Sequence, residues 1–422
     1  MRTLPQKTTP HGNLAYYAID SMENDVTRLY LTAHMPVPHQ CAQSELSFFG
    51  EMLGRGSRAY PKDRYDEILE SLGAQVGFDT DGATLTLRVV VLTAHVSRLL
   101  PVLTDMLARP LFLKSEIQKA KKEFFQALHE EGDNARTTAY GLFSRALYAP
   151  TESGYVPNRA ARRRTLAAIT ERRLRMIHAQ FLSASWVVSS ASTREMHTHI
   201  MHACARVHKE TPAVPTASTA MSELPQRVKA LHVEKIPGKQ NIELFIGSRL
   251  PITLTHPDFL AFSVGLDVLG KRGGFTGRLM KTVRDKEGLT YMIYAWIRGA
   301  TATTCGHFNV STFFTPQDVT KGLSLTRKEL TKIAQKGITA NELTRFQELL
   351  TNQFQLTHEA TSSVLSLYHR AFVAGRSYED IVDYPLRLAA LSRTEVNRAL
   401  RNYLNPEALV VAAAGPVDAI KD

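Results

Sequence analysis

The chain repeats itself once, at an offset of 222 residues. Leu166-Ala167-Ala168-Ile169-Thr170 is echoed by Leu388-Ala389-Ala390-Leu391-Ser392. At the same spacing Phe181-Leu182 meets Tyr403-Leu404, and an aliphatic run follows each: Trp186-Val187-Val188, then Ala408-Leu409-Val410-Val411. A further echo joins the helix opening near Ser115-Glu116-Ile117 to the one at Thr339-Ala340-Asn341-Glu342-Leu343. So long a period excludes a solenoid of short units. It asks for one architecture built twice, which 422 residues accommodate. Lys209 to Pro225, with three prolines and many Ser, Thr and Ala residues, reads as the linker. The expected domains are 1–208 and 226–422, with 209–225 between them.

Within each half, strands and helices come in blocks. Asn13 to Pro36 reads as a strand pair, and Ala83 to Val91 alternates as a strand. Leu46, Phe49 and Leu53 share one face of a helix over Ser44–Leu53, which Gly54 can stop. Asp63–Leu72 and Val96–Leu107 are further helices. Long helical stretches run from Ser115 to about Leu147 and from a capping box at Thr339 and Glu342 to about Ala374. This predicts an α+β fold: two homologous halves, each a mixed or antiparallel sheet with helices packed on one face.

Composition narrows the partners. With 44% hydrophobic residues a full core can be buried, and three isolated cysteines (Cys41, Cys204, Cys305) read as buried thiols. No run of apolar residues is long enough to span a membrane. No secretory signal follows Met1-Arg2, so the cytoplasm is the default expectation, and the periplasm the alternative if a signal lies outside this sequence. The net charge of +11 is partly local: Arg159, Arg162, Arg163, Arg164, Arg172, Arg173 and Arg175 cluster. No aromatic interleaving accompanies them, so they read as a solvated helix face and no nucleic-acid partner is expected.

Much chemistry is missing. There is no phosphate-binding glycine loop of either common type and no G-x-S-x-G elbow. Glu195, His199 and His202 fall on one helical face and could hold a divalent metal, which would permit a peptidase active by itself. The plainer reading is an amphipathic surface helix, with Ile200 and Ala203 inward and with His197 and His208 nearby.

Phe48-Phe49-Gly50-Glu51-Met52-Leu53-Gly54-Arg55-Gly56-Ser57 resembles the metal helix of the pitrilysin/insulinase-type inverted zinc peptidases, near the mitochondrial-processing-peptidase branch. There H-x-x-E-H precedes a short apolar pair and a basic-Gly-Ser/Thr turn. Laid on this chain, the first histidine falls on Ser47, the catalytic glutamate on Gly50, the second histidine on Glu51, and the third ligand, a distant glutamate, on Ala127. Such a site needs two neutral imidazoles, a carboxylate and a base. The resemblance therefore implies the family's fold, with its halves in a clam-like arrangement, but no metal and no cofactor in this chain.

A second block strengthens the likeness. Gly270-Lys271-Arg272-Gly273-Gly274-Phe275-Thr276-Gly277 leads into Arg284 and, seven residues on, Tyr291. It is similar to the family's glycine-rich loop with its Arg/Tyr pair, which reaches a peptide lying at the metal. A guanidinium and a phenol are strong donors for a carbonyl that gains negative charge. Arg284 is expected near a helix end, Gly288 in the turn, and Tyr291 on the following strand. The resemblance implies a non-catalytic subunit of a heterodimeric zinc endopeptidase. A homologous partner would hold the zinc, and a peptide or unfolded protein would be the substrate. The alternative is a structural or peptide-binding protein of the same fold with no peptidase role.

Overall fold

The structure, a computed structural model, describes residues 6–11, 13–20, 25–35, 42–209, 231–271 and 273–420. The linker expected at 209–225 lies outside them apart from Lys209, as do Cys41 and Arg272. The first half runs β1 (Gln6–His11), β2 (Leu14–Asp20), β3 (Val26–His34), α1 (Ala42–Leu53), α2 (Lys62–Leu72), β4 (Gln75–Asp81) and β5 (Thr84–Leu92). It continues α3 (Val96–Ala108), α4 (Lys114–Glu131), α5 (Ala135–Leu147), α6 (Arg159–Ala168), α7 (Glu171–Ser183), β6 (Ser185–Ser192) and α8 (Arg194–Val207). The second half runs β7 (Leu231–Lys235), β8 (Ile242–Arg249), α9 (Phe259–Gly270), a π-helical segment (Met280–Lys286), β9 (Ile293–Arg298) and β10 (His307–Phe314). It ends α10 (Val319–Lys336), α11 (Ala340–Thr357), α12 (Thr361–Val373), α13 (Tyr378–Val382), α14 (Tyr384–Ala390), α15 (Arg393–Tyr403) and β11 (Val410–Gly415).

The repeat is a repeat of topology. The first sheet is ordered β1-β2-β6-β3-β5-β4 and the second β7-β11-β8-β10-β9. Without β1 the two orders coincide. β6 runs parallel to β2 and antiparallel to β3, and β11 runs parallel to β7 and antiparallel to β8. The echoed residues cap equivalent helices: Thr170 accepts from the Arg173 N–H at 3.3 Å, and Ser392 from the Glu395 N–H at 3.2 Å. The capping box at Thr339 forms as expected. The strand pair expected at 13–36 does not form, because β6 inserts between β2 and β3. β6 is buried along most of its length and takes the central place that such a strand requires.

Both long helical stretches are broken at equivalent places. Gly132-Asp133-Asn134 ends α4, and the Asn134 side chain caps α5 by accepting from the Thr137 N–H at 3.0 Å. His358–Ala360 separates α11 from α12. Each helix after the break leaves its half. One compact unit contains the described residues of Met1–Leu128, Pro157–Ala217 and Thr357–Val373, and the other those of His129–Val156, Ser218–Leu356 and Ala374–Asp422. The halves thus trade α5 for α12, and compactness does not follow a single cut near 209–225.

The trade answers a packing need. β11 reads Val-Val-Ala-Ala-Ala-Gly and is buried on both faces. Val411 and Ala413 join α9, α10 and α15 in one core; Val410, Ala412 and Ala414 meet Ala135, Ala139, Phe143 and Leu147 of α5. In the first unit Phe372 of α12 stacks on Tyr17 at 3.7 Å, and His369 lies 2.9 Å from Ser189 Oγ and 2.8 Å from Thr32 Oγ1. The two halves and their mixed sheets are as the sequence implied, but helices cover both sheet faces, not one.

Candidate functional site

Helix α1 presents the first candidate residues. Ser47 is half-buried, and its hydroxyl lies 2.7 Å from Thr80 Oγ1 on β4. Gly50 is buried. A Cβ there would stand 2.9 Å from Phe78 Cβ and 3.0 Å from Leu85 Cδ1, so no longer side chain fits between α1 and the sheet. Glu51 is exposed and accepts from Arg55 Nε at 2.9 Å. Arg55, only 9% exposed, also donates to Glu116 at 3.3 Å and to the Glu123 carboxylate. Burial alone would lower the Arg55 pKa, but the Glu51 and Glu123 carboxylates outweigh it and raise it. Lys119 first and Arg55 second hold the Glu116 carboxyl below its usual range. Ala127 is exposed one turn beyond Glu123, so the carboxylates that α4 directs at α1 are Glu116 and Glu123.

This arrangement does not fit a zinc ion of the inverted-peptidase kind. Its ligands would be two imidazoles and a carboxylate, and a guanidinium already stands among the three carboxylates here. The turn behind it is fixed as well. Ser57 Oγ donates to Asp105 at 2.6 Å, and the Ala59 N–H donates to the same oxygen at 2.7 Å.

The histidine helix offers no cluster. Glu195, His199 and His202 are exposed on α8, whereas His197 is buried 2.7 Å from Ser190 Oγ and His208 lies 2.9 Å from the Ala184 carbonyl. Among the described residues no group of three His, Cys, Asp or Glu could hold a metal ion. The arginine cluster is partly tied down. Arg173 makes a two-point ion pair with Glu45 at 2.9 and 2.6 Å, Arg175 pairs with Glu171, and Arg163 lies over the Phe125 ring.

The second block is built differently. Gly270 ends α9, and the loop through Gly273 and Gly274 folds back over that end. A Cβ on Gly277 would come within 2.8 Å of Gly270 Cα and 3.0 Å of the Leu269 carbonyl, so the close return demands glycine. Arg284 sits on the π-helical segment Met280–Lys286, a geometry frequent at functional sites. Gly288, at φ +66°, ends it: its N–H donates to the Arg284 carbonyl at 2.8 Å.

Leu289, Thr290 and Ile293 are buried around Tyr291, which leaves that ring 67% exposed. Tyr291 therefore lies two residues before β9 and projects outward, where a strand position was expected. The Arg284 guanidinium stands 5.3 Å from the Tyr291 ring centroid and 5.4 Å from that of Phe275, itself 60% exposed. Its side-chain ion pair is with the neighbouring Asp285, at 3.4 Å. The result is a cation held between two outward rings, with donors left for an arriving acceptor. Phe275 was expected only as part of the loop. Its distance in sequence from Tyr291 hides that both rings flank one guanidinium.

Two family models match the chain. One described as insulinase, peptidase family M16, matches residues 47–151, and one described as the peptidase M16 inactive domain matches 168–350. An uncharacterized zinc protease of Streptomyces coelicolor is 20% identical over 360 residues, 85% of this chain and 77% of its own length. The non-peptidase homolog YmxG of Helicobacter pylori is 24% identical over 330 residues, 78% of this chain and 74% of its own. A solved peptidase M16 inactive domain from Pseudomonas fluorescens shares the fold at a TM-score of 0.83 and 19% identity, covering 99% of this chain and 100% of that one. A protease from Helicobacter pylori does so at a TM-score of 0.78 and 13% identity, covering 98% and 100%. Among the described residues no helix is long and apolar enough to cross a membrane.

Proposed function

This chain belongs to the insulinase- and pitrilysin-like M16 family, and from that premise we propose that it is a non-catalytic subunit of a two-chain zinc endopeptidase. A homologous partner, of the processing-peptidase kind, carries the H-x-x-E-H helix and the zinc. This chain supplies Arg284 and Tyr291, with Phe275 beside them, to the peptide. The observation that carries the reading is the contrast within the chain: the α1 position where a catalytic glutamate would stand has no room for a side chain, while the Arg284 group is assembled and faces outward. Both donors can meet the oxygen of a peptide carbonyl as charge develops on it.

The test is reconstitution. The purified chain alone binds no stoichiometric zinc and cleaves no peptide; adding the homologous zinc-bearing chain restores cleavage. Arg284→Ala or Tyr291→Phe then lowers turnover of the mixture by about tenfold or more. Chelator-sensitive cleavage by this chain alone, or unchanged turnover of the variants, would sink it. The name of the Helicobacter pylori relative, a non-peptidase homolog, favours a second reading, a structural or peptide-binding protein of this fold without a peptidase role. Peptide binding that depends on Arg284, with no cleavage under any pairing, would support that reading instead.

A further inference from the structure

Helices α4, α6 and α7 form a layer over α1 in the first unit. Phe124 of α4 packs on Phe48, and Phe181 of α7 on Phe49. α6 is tied to α4 by Lys121 Nζ, which donates to the Ala167 carbonyl at 2.7 Å, and by Arg163, which lies over Phe125. α7 is tied to the segment before α4: Arg175 donates to the Leu111 carbonyl at 3.5 Å and stands 6.0 Å from the Phe112 ring centroid. Charged helix faces are ordinarily just solvated, with carboxylates among the cations. This face is short of them. α6 has no acidic residue, and the one on α7, Glu171, is held by Arg175. Glu45 is taken by Arg173, and Glu116 and Glu123 by Arg55 and Lys119. Lys114, Lys122, Arg164 and Arg172 are exposed, and among the described residues none of them pairs with a carboxylate.

Two large apolar side chains stand out among these cations. Leu113 is 48% exposed and Met176 49%. Leu113 is put there by the residue before it. Phe112 holds φ +53°, the only positive φ outside glycine among the described residues and a costly geometry for a bulky side chain. Its ring is buried against Phe49 and His178, and the chain turns outward after it. Met176, with Arg172, Arg175 and Ala179, lines a shallow, open depression of about 510 Å³.

Unpaired cations around exposed apolar tips are complementary to a surface that is anionic at its headgroups and apolar just beneath them. We propose that this face docks on an anionic phospholipid bilayer, with Lys114, Lys122, Arg164 and Arg172 on the phosphates and Leu113 and Met176 entering below. The long stems of the cations lie along the same boundary. Nucleic acid would ask for rings between the cations, and neither exposed apolar residue is aromatic. The shallow depression suits a broad surface better than a peptide or helix laid in a groove. The face belongs to the first unit alone and does not depend on the reading of Arg284 and Tyr291.

Vesicle sedimentation with the full chain tests it. One set of vesicles is phosphatidylcholine alone, and the other contains about a third phosphatidylglycerol. Binding is expected to the anionic vesicles only, falling steeply with added salt. Arg164→Glu with Arg172→Glu should weaken it by about twentyfold or more, about fivefold for each cation removed. Arg393→Glu with Arg401→Glu, the same change of charge on α15, should leave it within about twofold. Leu113→Ser with Met176→Ser should weaken it several-fold while the salt dependence persists. All these positions are exposed, so each variant is expected to keep the parent's Tm. Equal binding to both kinds of vesicle, a loss in the α15 variant as large as that in the α6 and α7 variant, or no effect of the serine pair overturns the proposal. Polyglutamate or duplex DNA bound as tightly as the anionic vesicles, by the parent chain and the serine variant alike, overturns the bilayer in favour of an acidic protein or nucleic acid.

Discussion

Two regions of this chain each hold a guanidinium, and they dispose of it in opposite ways. At the end of α1, Arg55 is buried among Glu51, Glu116 and Glu123, and its donors are spent inside the fold. In the loop and π-helical segment, Arg284 lies between two exposed rings with Asp285 as its ion-pair partner. Both regions resemble the family's site in sequence; in the first the guanidinium is tied into the fold, and in the second it stands between two exposed rings.

The comparison can be broken most forcefully at Gly50. If α1 were a site awaiting its residues, Gly50→Glu would be tolerated. The contacts with Phe78 and Leu85 predict instead a loss of about 4 kcal/mol or more, from overpacking plus a buried charge, or failure to give folded protein. Denaturant unfolding checks it. Acid provides a control on the scaffold shared by both regions. Burial first, then His34 and Arg88, lowers the His369 pKa to about 3, and burial first, then Arg298 and Arg249, lowers that of His307 to about 3. The folded state thus binds fewer protons than the unfolded one between the ordinary histidine pKa of about 6.5 and about 3. The stability is fully present above about pH 6.5 and is lost as the pH falls toward 3. It should drop by about 3 kcal/mol per histidine between pH 7 and 4.5, read as a falling Tm and lessened by substituting either histidine with a neutral residue.

Arg55→Ala should cost about 2 kcal/mol, less than a fully buried pair because Glu51 and Glu123 stay in water. Arg284→Ala and Tyr291→Phe are the smallest effects on stability, within about 0.5 kcal/mol, although the proposed function makes them the largest on turnover. A Tm loss for Arg284→Ala as large as that for Arg55→Ala would erase the distinction between the regions.

What was legible in the sequence was local or repeated. The offset between halves, the caps at Thr170, Ser392 and Thr339, and the helices around Leu46 and Tyr65 are written within a few residues of one another. Gly288 as the turn before Tyr291 and Gly277 as part of the glycine loop were legible in the same way. The misses were long-range. Gly132-Asp133-Asn134 is a local turn signal, but nothing local tells α5 and α12 to leave their halves. The Arg55 cluster joins residues 61 and 68 positions apart. That β6 inserts between β2 and β3 follows from its need to be covered on both faces, which a strand read singly does not reveal.

The trade of α5 for α12 sets a timetable for biosynthesis. The outer layer of the first sheet is encoded at residues 361–373, so a nascent chain that has emitted every strand of that sheet still has Tyr17, Thr32 and Ser189 without the helix that covers them. Domains ordinarily complete themselves in the order they leave the ribosome. This one cannot: its early portion is finished only by a stretch made near the end.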